Sequence, residues 1–593
     1  MTDLAAVILA LCTAAGAWLA VPVPVGWPLG AVVVAVAFLT RSAVLLCAGA
    51  ALLASGLAAT AWIGLRPPRA GTPVSAAVTL LSDPDDRGGA TRAIAKLGRR
   101  HVEISARGAN GAVLSDRLAG ERLHVTGRLG PVAEVVKSQL AVRHVGAELT
   151  VTALEPAGPG NLASQWANRL RRTLVRGARA LPTGQRALFT GFVLGDDRGQ
   201  SAAVVDDFRG SGLSHLLVVS GENVAFVLAV AGPLLRRFGL RWRLLAGITV
   251  LAGFGLLTRW EPSVLRAEAM AGIALAATTL GRPVSALRVL ALAVSGLLVA
   301  DPLLVHSVSF LLSVGASAGI TLLAAPLARR LPGPRPLATG AAVTLAAQAG
   351  VAPVLVPVFG PLPVAALPAN LLAMPAAGPV MTWGLVAGIP AGLLGGSAAA
   401  LLHLPTRLFV GWIALVARWA AAAPLGSLGP EPLLLIAGLV VVAWLIARRT
   451  VSRVLVAVGL LVAATPMATA AIRAGPVREG AAVVPGALLW RAGAAAVLTI
   501  QNPSSGRLLS GLHAAGVRRL SVLVVERSGP APAATVATLV SRIPAELVLA
   551  PSERDIAGAT VPIAGTRVEA APFVITVDQA GAGLAVTVAR APP

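Results

Sequence analysis

The sequence predicts a polytopic α-helical membrane protein of about 13 spans, with a small extracytoplasmic β-barrel domain after the third span and an α/β domain at the C-terminal end. Three observations carry this. Of 593 residues, 56% are hydrophobic and 13% charged, and apolar stretches long enough to cross a ~30 Å hydrocarbon core recur along the chain. Over about 66–155 the apolar character collapses, and Val102 and Ile104 alternate with His101, Glu103 and Ser105 at the period of a half-buried strand. From about 476 strand-like segments (ALLW, AAVLTI, LSVLVVE, ELVLA, FVITV) interleave with helix-like ones (SSGRLLSGLHAAGV, APAATVATLVSRI), the pattern of a layered α/β domain.

Residues 1–65 hold spans at about 4–21, 28–40 and 43–64. The first lacks a basic leader and runs straight into further spans, so it reads as a retained helix. Residues 66–155 read as about five strands of OB-fold type. Over 156–185, Leu162, Trp166, Leu170, Leu174 and Val175 recur at helical spacing with five arginines on the other faces, predicting an amphipathic helix lying in the membrane interface. Residues 186–475 accommodate ten more spans, near 213–235, 244–258, 264–280, 289–300, 305–325, 338–359, 366–394, 397–423, 432–447 and 454–472. Arginine distribution tests that drawing. Loops 236–243, 281–288, 326–337 and 448–453 carry clusters including Arg282, Arg288, Arg329, Arg330, Arg335, Arg448, Arg449 and Arg453, while the opposite loops hold Arg259, Glu261, Asp301 and Glu431. The basic side is expected to be cytoplasmic, which places both the β domain and the C-terminal domain (476–593) outside.

The net charge of +23 comes almost wholly from arginine, Lys96 and Lys137 being the only lysines. A GC-rich genome produces the same bias, so charge alone does not identify a nucleic-acid partner. Cys12 and Cys47 both lie in apolar spans, which argues against a disulfide framework.

The chemistry concentrates in DDFRGSGLSHLLVVSGENVAF, residues 206–226, where His215, Ser220, Glu222 and Asn223 interrupt an apolar run. A charge at mid-bilayer costs at least ~2.5–3.5 kcal/mol, so such groups face a bundle interior, a wet path or a partner. Gly210, Gly212 and Gly221 loosen the backbone, which predicts a broken or re-entrant helix. Ser214 and His215 are sequence neighbours and point to different helix faces, against a hydrolase triad. Arg266 and Glu268, two apart in EPSVLRAEAMAG, are expected to face different helices. Ser309, Ser313, Gly315, Ser317 and Gly319 offer small faces for close helix packing. Gln348 and Asn370 read as interhelical hydrogen-bonding groups.

FTGFVLGDDRG (189–199), FRGSGLSHLLVVSGENVA (208–225), PSVLRAEAMA (262–271), ADPLL with SFLLSVGASAGI (300–320) and LPANLLAMP (367–375) together resemble the ComEC family of competence proteins, and the order of domains resembles that family's too. The resemblance implies an inner-membrane channel that passes single-stranded DNA into the cytoplasm in natural transformation. It also implies a DNA receptor at the surface or in the periplasm, a separate nuclease for the complementary strand and a cytoplasmic motor. The residues expected to line the channel are His215, Ser220, Gly221, Asn223, Arg266, Glu268, Asp301 and Ser313; Arg92, Lys96, Arg99, Arg100 and Arg107 form the densest basic run of the β domain and are expected to contact DNA. That domain has no aromatic residue between Trp62 and Trp166, leaving arginine or His101 faces for base stacking.

Two departures bear on function. Where many relatives read SGLH, this chain has Ser220, Gly221, Glu222 and Asn223. The C-terminal domain resembles the family's metallo-β-lactamase-like domain, but after the strand 520–525 there is no His-x-Asp-x-Asp-His loop; Glu526 and His513 are the only residues there that invite a ligand reading. Zinc hydrolase sites need three protein ligands, so neither metal nor cofactor nor enzymatic activity is expected. An exporter or flippase of an anionic metabolite, or a DNA-processing enzyme with an atypical site, are the alternative readings.

Overall fold

Most of the apolar runs drawn from the sequence are helices among the described residues, although 213–220, the first part of one of them, is not α-helical. A computed structural model describes residues 2–21, 26–87, 89–282, 284–423, 425–429, 478–493, 495–501, 519–553 and 558–590 with scattered single positions. The span drawn at 454–472, nearly all of 432–447, Arg448, Arg449, Arg453, His513 and most of the helix expected around it lie outside the described residues.

The chain opens with α1 (Asp3–Leu19), α2 (Gly26–Thr40) and α3 (Ala43–Gly64). Thr2 and Ser42 start α1 and α3 by accepting the Ala5 and Leu45 amides, which would otherwise lack a partner. Next come β1 (Thr72–Leu80), β2 (Asp85–Arg87), β3 (Ala90–Leu97), β4 (Arg100–Ala106), α4 (Gly108–Ser115), β5 (Arg122–Gly130), α5 (Glu134–Ala141) and β6 (Val145–Gly158). Their sheet runs β1-β5-β6-β4-β3-β2, with β4 and β6 parallel and the other pairs antiparallel. A further pairing of Thr79 with Lys96 and Leu80 with Ala95 joins β1 to β3. Alternation decides the faces: β5 buries Leu123, Val125 and Leu129 and exposes Arg122, His124, Thr126 and Arg128. The buried set meets Val78, Ile104, Leu114 and Leu149 in one core.

The helices that follow are α6 (Leu162–Ala178), α7 (Thr183–Leu194), α8 (Ala202–Gly210), α9 (Gly221–Leu235), α10 (Leu240–Leu257), α11 (Pro262–Thr279), α12 (Ala286–Ala300), α13 (Val308–Gly319), α14 (Ala325–Ala328), α15 (Arg335–Phe359), α16 (Ala366–Leu394), α17 (Gly396–Leu402) and α18 (Leu404–Ala422). A π segment, Ile320–Ala324, carries α13 into α14. Among the described residues five stretches are long and apolar enough to cross a membrane: α3, α10, Val308–Ala328, α15 and α16; α17 and α18 add a sixth if that pair, bent by 55°, is one span. Shorter apolar helices include α1, α9 and α12. With the family evidence below, these make the chain a multi-pass membrane protein.

By internal contacts the chain divides into two units. The first comprises residues 1–199, 215–360 and 367–416. Its helices meet in a core of Ala17, Ala54, Leu290, Val294, Leu298, Leu304 and Phe310. Small residues let α13 and α15 touch backbone to backbone: a Cβ on Gly315 would strike the Gly350 carbonyl, and one on Gly319 the Ala346 carbonyl. The second unit comprises 200–214, 361–366 and 417–593. It contains α8, a two-residue pairing of β7 (Leu362–Pro363) with β8 (Ser427–Leu428), and β9 (Arg478–Val484), β10 (Ala487–Ala492), β11 (Ala495–Ile500), β12 (Leu520–Val525), α19 (Pro530–Val540), β13 (Ala545–Leu549), β14 (Arg567–Ala570), β15 (Phe573–Gln579) and β16 (Ala585–Arg590). The mixed sheet β13-β12-β11-β10-β9 buries Leu489, Leu498 and Leu523 against Val536 and Leu539 of α19. Its other face, through Val497, Val522 and Val524, packs on Phe573, Ile575 and Val577 of the sheet β14-β15-β16. Arg542 donates to both carboxylate oxygens of Asp207 in α8 at 2.8 Å and to the Ala203 carbonyl at 3.1 Å.

One expectation about α6 changes. Leu162 and Trp166 are exposed, as an interfacial face requires, but the helix also buries Asn168, Arg171 and Leu174 against protein. Arg171 is on the buried side because four elements converge on its guanidinium, as described next.

Candidate functional site

The break before α9 is built locally. At Gly212 φ is +72°, and a Cβ there would run into Ala366, so the turn after α8 needs glycine. The chain then makes a 3-10 turn at Ser214–Leu216, with His215 exposed, and stays non-helical until Gly221 opens α9. The expected discontinuity is therefore present.

Side chains from neighbouring helices fix the start of α9. Asn223 Nδ2 donates to the Phe192 carbonyl of α7 at 3.0 Å, and Ser263 Oγ of α11 donates to the Val219 carbonyl at 3.2 Å. Ser220 occupies the N-cap position without capping; its hydroxyl lies 3.4 Å from Asn223 Oδ1 instead. Arg266, less than a turn beyond Ser263, lays its guanidinium against Gly221, where a Cβ would collide with it. Its Nε donates to Ser313 Oγ of α13 at 2.7 Å, and Nη1 lies 2.9 Å from Met270 Sδ. Arg266 is 7% exposed and forms no ion pair among the described residues. A helix start carries partial positive charge from its unpaired amides, so Arg266 adds positive charge to the start of α9, whose first turn also carries Glu222.

The structure gathers Ser220, Gly221, Asn223, Arg266 and Ser313 into this site, leaves His215 exposed in the preceding turn, and places Glu268 and Asp301 elsewhere. Glu268 projects to the α10 side, with Oε2 near Gly255 and Oε1 without a hydrogen-bond partner among the described residues. Two residues on a helix are ~200° apart, which separates it from Arg266. Asp301 caps the 3-10 turn Pro302–His306 through the Leu303 amide and accepts from, or pairs with, His144 Nε2 at 3.0 Å. It joins the β domain to the end of α12.

The basic run of the β domain is likewise divided. Arg92 pairs with Glu103 at 3.1 Å and Glu148 at 3.9 Å. Lys96, Arg99 and Arg100 cluster at the exposed β3–β4 turn, whereas Arg107 follows the far end of β4. Seven residue steps along the strand separate Arg100 from Arg107, about 23 Å. His101 is half-buried against His144, ring centroids 6.2 Å apart.

A second polar centre went unread in the sequence. Arg171 of α6 is 2% exposed and donates to the carbonyls of Leu194 (2.7 Å) and Leu257 (2.6 Å) and to Asp83 Oδ2 (2.7 Å), with Asp196 at 3.6 Å. Arg259 Nη2 donates to Asp83 Oδ1 and to Asn168 Oδ1, both at 2.8 Å, and the Ala119 amide also donates to Asp83. Arg198 grips Asp196 at 2.7 and 2.6 Å. Burial opposes ionisation of Asp83, yet the Arg171 and Arg259 guanidiniums outweigh it and hold the carboxyl at about 2. The bonds to Asp196, against the opposing effect of burial, raise Arg198 above its ordinary range, while burial foremost lowers Arg171. The Asp-Asp-Arg of the 189–199 motif and the SDPDD of the β domain were the available signals; only the fold brings them together. Among the described residues no three His, Cys, Asp or Glu side chains converge as metal ligands.

A family model described as "Competence protein" matches residues 192–452, from the helix end that anchors Asn223 through α18. ComE operon protein 3 of Bacillus subtilis (strain 168) is 28% identical over 242 residues, 40% of this chain and 30% of that protein. Residues 192–452 are thus similar to the competence proteins of the ComEC family, and the chain spans about a third of the length of the curated relative it matches. The matched region contains every residue of the Arg266 site, whereas the β domain lies outside it. No solved structure matches the chain.

Proposed function

We propose that this chain takes part in DNA uptake during competence and conducts single-stranded DNA through the cell membrane into the cytoplasm. The observation that carries the reading is Arg266: a buried guanidinium at a helix start, inside the family-matched region, tied to a serine and not to a carboxylate. A phosphate passing there displaces one neutral hydrogen bond, whereas removing a carboxylate partner would leave a buried charge unpaired at ~3–5 kcal/mol. Weak multi-site attraction of this kind lets a polyanion enter and leave.

The wider reading has specific supports. Eleven of the thirteen drawn spans coincide with described helices or helix pairs. The ring of pairings β1-β5-β6-β4-β3, closed by the Thr79–Lys96 and Leu80–Ala95 pairs, favours an OB-type barrel. The helix-on-sheet-on-sheet layering of residues 478–590 is compatible with a metallo-β-lactamase-like domain, which we take to be without enzymatic activity. The arginine-rich loops, read as cytoplasmic, support a placement of both domains outside the cell membrane. In this scheme an external receptor delivers the DNA, another nuclease removes the complementary strand, and a cytoplasmic motor draws the imported strand inward.

The test is uptake of labelled DNA into the cytoplasm of cells carrying Arg266→Ala or Arg266→Lys, with membrane amounts of the protein checked in parallel. Arg266→Ala should lower uptake more than tenfold and Arg266→Lys should keep part of it. Wild-type uptake by a correctly inserted Arg266→Ala protein would refute the reading.

A further inference from the structure

We infer that Lys96, Arg99 and Arg100 form a site for the phosphate headgroups of anionic phospholipids, and not the contact with DNA that their density in the sequence invites. Two contacts set their level relative to the helix ends, and a pair of tryptophans marks that level. Lys96 pairs across the hairpin with His101, whose ring meets His144, and His144 pairs at 3.0 Å with Asp301, the residue that ends α12. A Cβ on Gly146, two residues beyond His144, would strike the Leu65 carbonyl just past the end of α3. Near the same helix ends, His306 packs against Trp18 and Trp62 with ring centroids 4.7 and 5.6 Å apart, and the two tryptophans are 57% and 40% exposed. Half-exposed tryptophans at the ends of apolar helices mark the membrane–water boundary. The β3–β4 turn therefore projects at headgroup depth.

Charge fits the same occupant. All three side chains are exposed, and none forms an ion pair among the described residues. The nearby carboxylates are already matched, Asp301 by His144 and Glu261 by Arg143 at 3.9 Å. Arg66 and Arg69, exposed just after α3, extend the basic rim. A polybasic rim at this depth gains roughly fivefold in affinity for anionic lipid per cation. The inference needs α3 and α12 to cross the membrane but stands whether or not the chain conducts DNA.

The experiment uses the full chain in neutral detergent, titrated with a short-chain fluorescent phosphatidylglycerol, the matching phosphatidylcholine, and a labelled thymidine oligonucleotide. Wild type should prefer phosphatidylglycerol at least tenfold, and inorganic phosphate at equal concentration should not compete. The variant Lys96→Gln/Arg99→Gln/Arg100→Gln should lose most of that preference, at least tenfold, while keeping oligonucleotide binding and an unchanged melting temperature. A control, Arg122→Gln/Arg128→Gln, removes cations from the exposed face of β5 and should leave the lipid preference intact. If the triple variant keeps the preference, or loses oligonucleotide binding alone, the assignment is overturned.

Discussion

Arg266 can lie against the start of α9 because residue 221 has no Cβ. That single missing atom explains why Gly221 belongs to the site although it carries no chemistry of its own. Asp83 works in the opposite way, through charge. Its carboxyl sits at about 2 against an ordinary 3.8, burial opposing and the two arginines prevailing. Because the folded value is the lower one, the contribution of about 2 kcal/mol is complete above about pH 5 and disappears as pH falls towards 2. Asp83→Asn should therefore lower the melting temperature of the purified chain at pH 6, and its deficit relative to wild type should shrink between pH 5 and pH 3. A deficit that does not vary with pH would show that the ion pairs contribute nothing beyond shape. Neither role was legible in the sequence: Gly221 read as a position that loosens the backbone, and nothing singled out Asp83.

Helices α13 and α15 were the most readable elements. The small residues Gly315 and Gly319 pointed to a close helix approach, and the backbone contacts with Gly350 and Ala346 are where that approach occurs. What could not be read was the partner, since Gly350 lies in an unremarkable Ala-rich stretch. Gly319→Val forces a branched side chain into a carbonyl, and overpacking of this kind costs ~1–3 kcal/mol or more. The expected outcome is a melting temperature several degrees lower and less protein in the membrane, with Gly296→Val on α12, where a Cβ meets nothing, as the tolerated control. Helix α6 was read less well. Its apolar stripe was plain, but a stripe does not reveal that Arg171 has two carbonyls and two carboxylates waiting on its polar side.

At the scale of the molecule, the two units call for different measurements. In the first, the Arg171–Asp83–Arg259 network ties the β domain, α6 and the α10–α11 turn into one body, so disrupting it should expose all three segments to hydrogen exchange together. In the second, the sheet layers leave Glu526 at the end of β12, with its carbonyl taking the Leu584 amide at 2.8 Å. Zinc hydrolase sites need three protein ligands, and among the described residues no such group converges there. Purified full-length chain incubated with single-stranded DNA and zinc or manganese should leave the DNA intact, and a Glu526→Gln variant should behave identically. Metal-dependent cleavage lost in Glu526→Gln would establish an active site of unexpected composition.

Composition and periodicity by themselves determined that the chain is built of membrane-length helices with a strand-rich insertion and a layered C-terminal domain, because hydrophobicity and its period are local properties that neighbouring residues express together. Motif likeness added the resemblance to competence proteins. Only the tertiary structure decided which polar residues share a site: it joined Gly221, Asn223, Arg266 and Ser313 from distant segments, sent Glu268 and Asp301 to other contacts, and split a continuous basic run between a helix-end rim, an ion pair and the opposite end of a strand. The reason is physical. A side chain's charge is written in the sequence, but its partner is set by which helices and strands pack together, and most of the partners here lie scores of residues away.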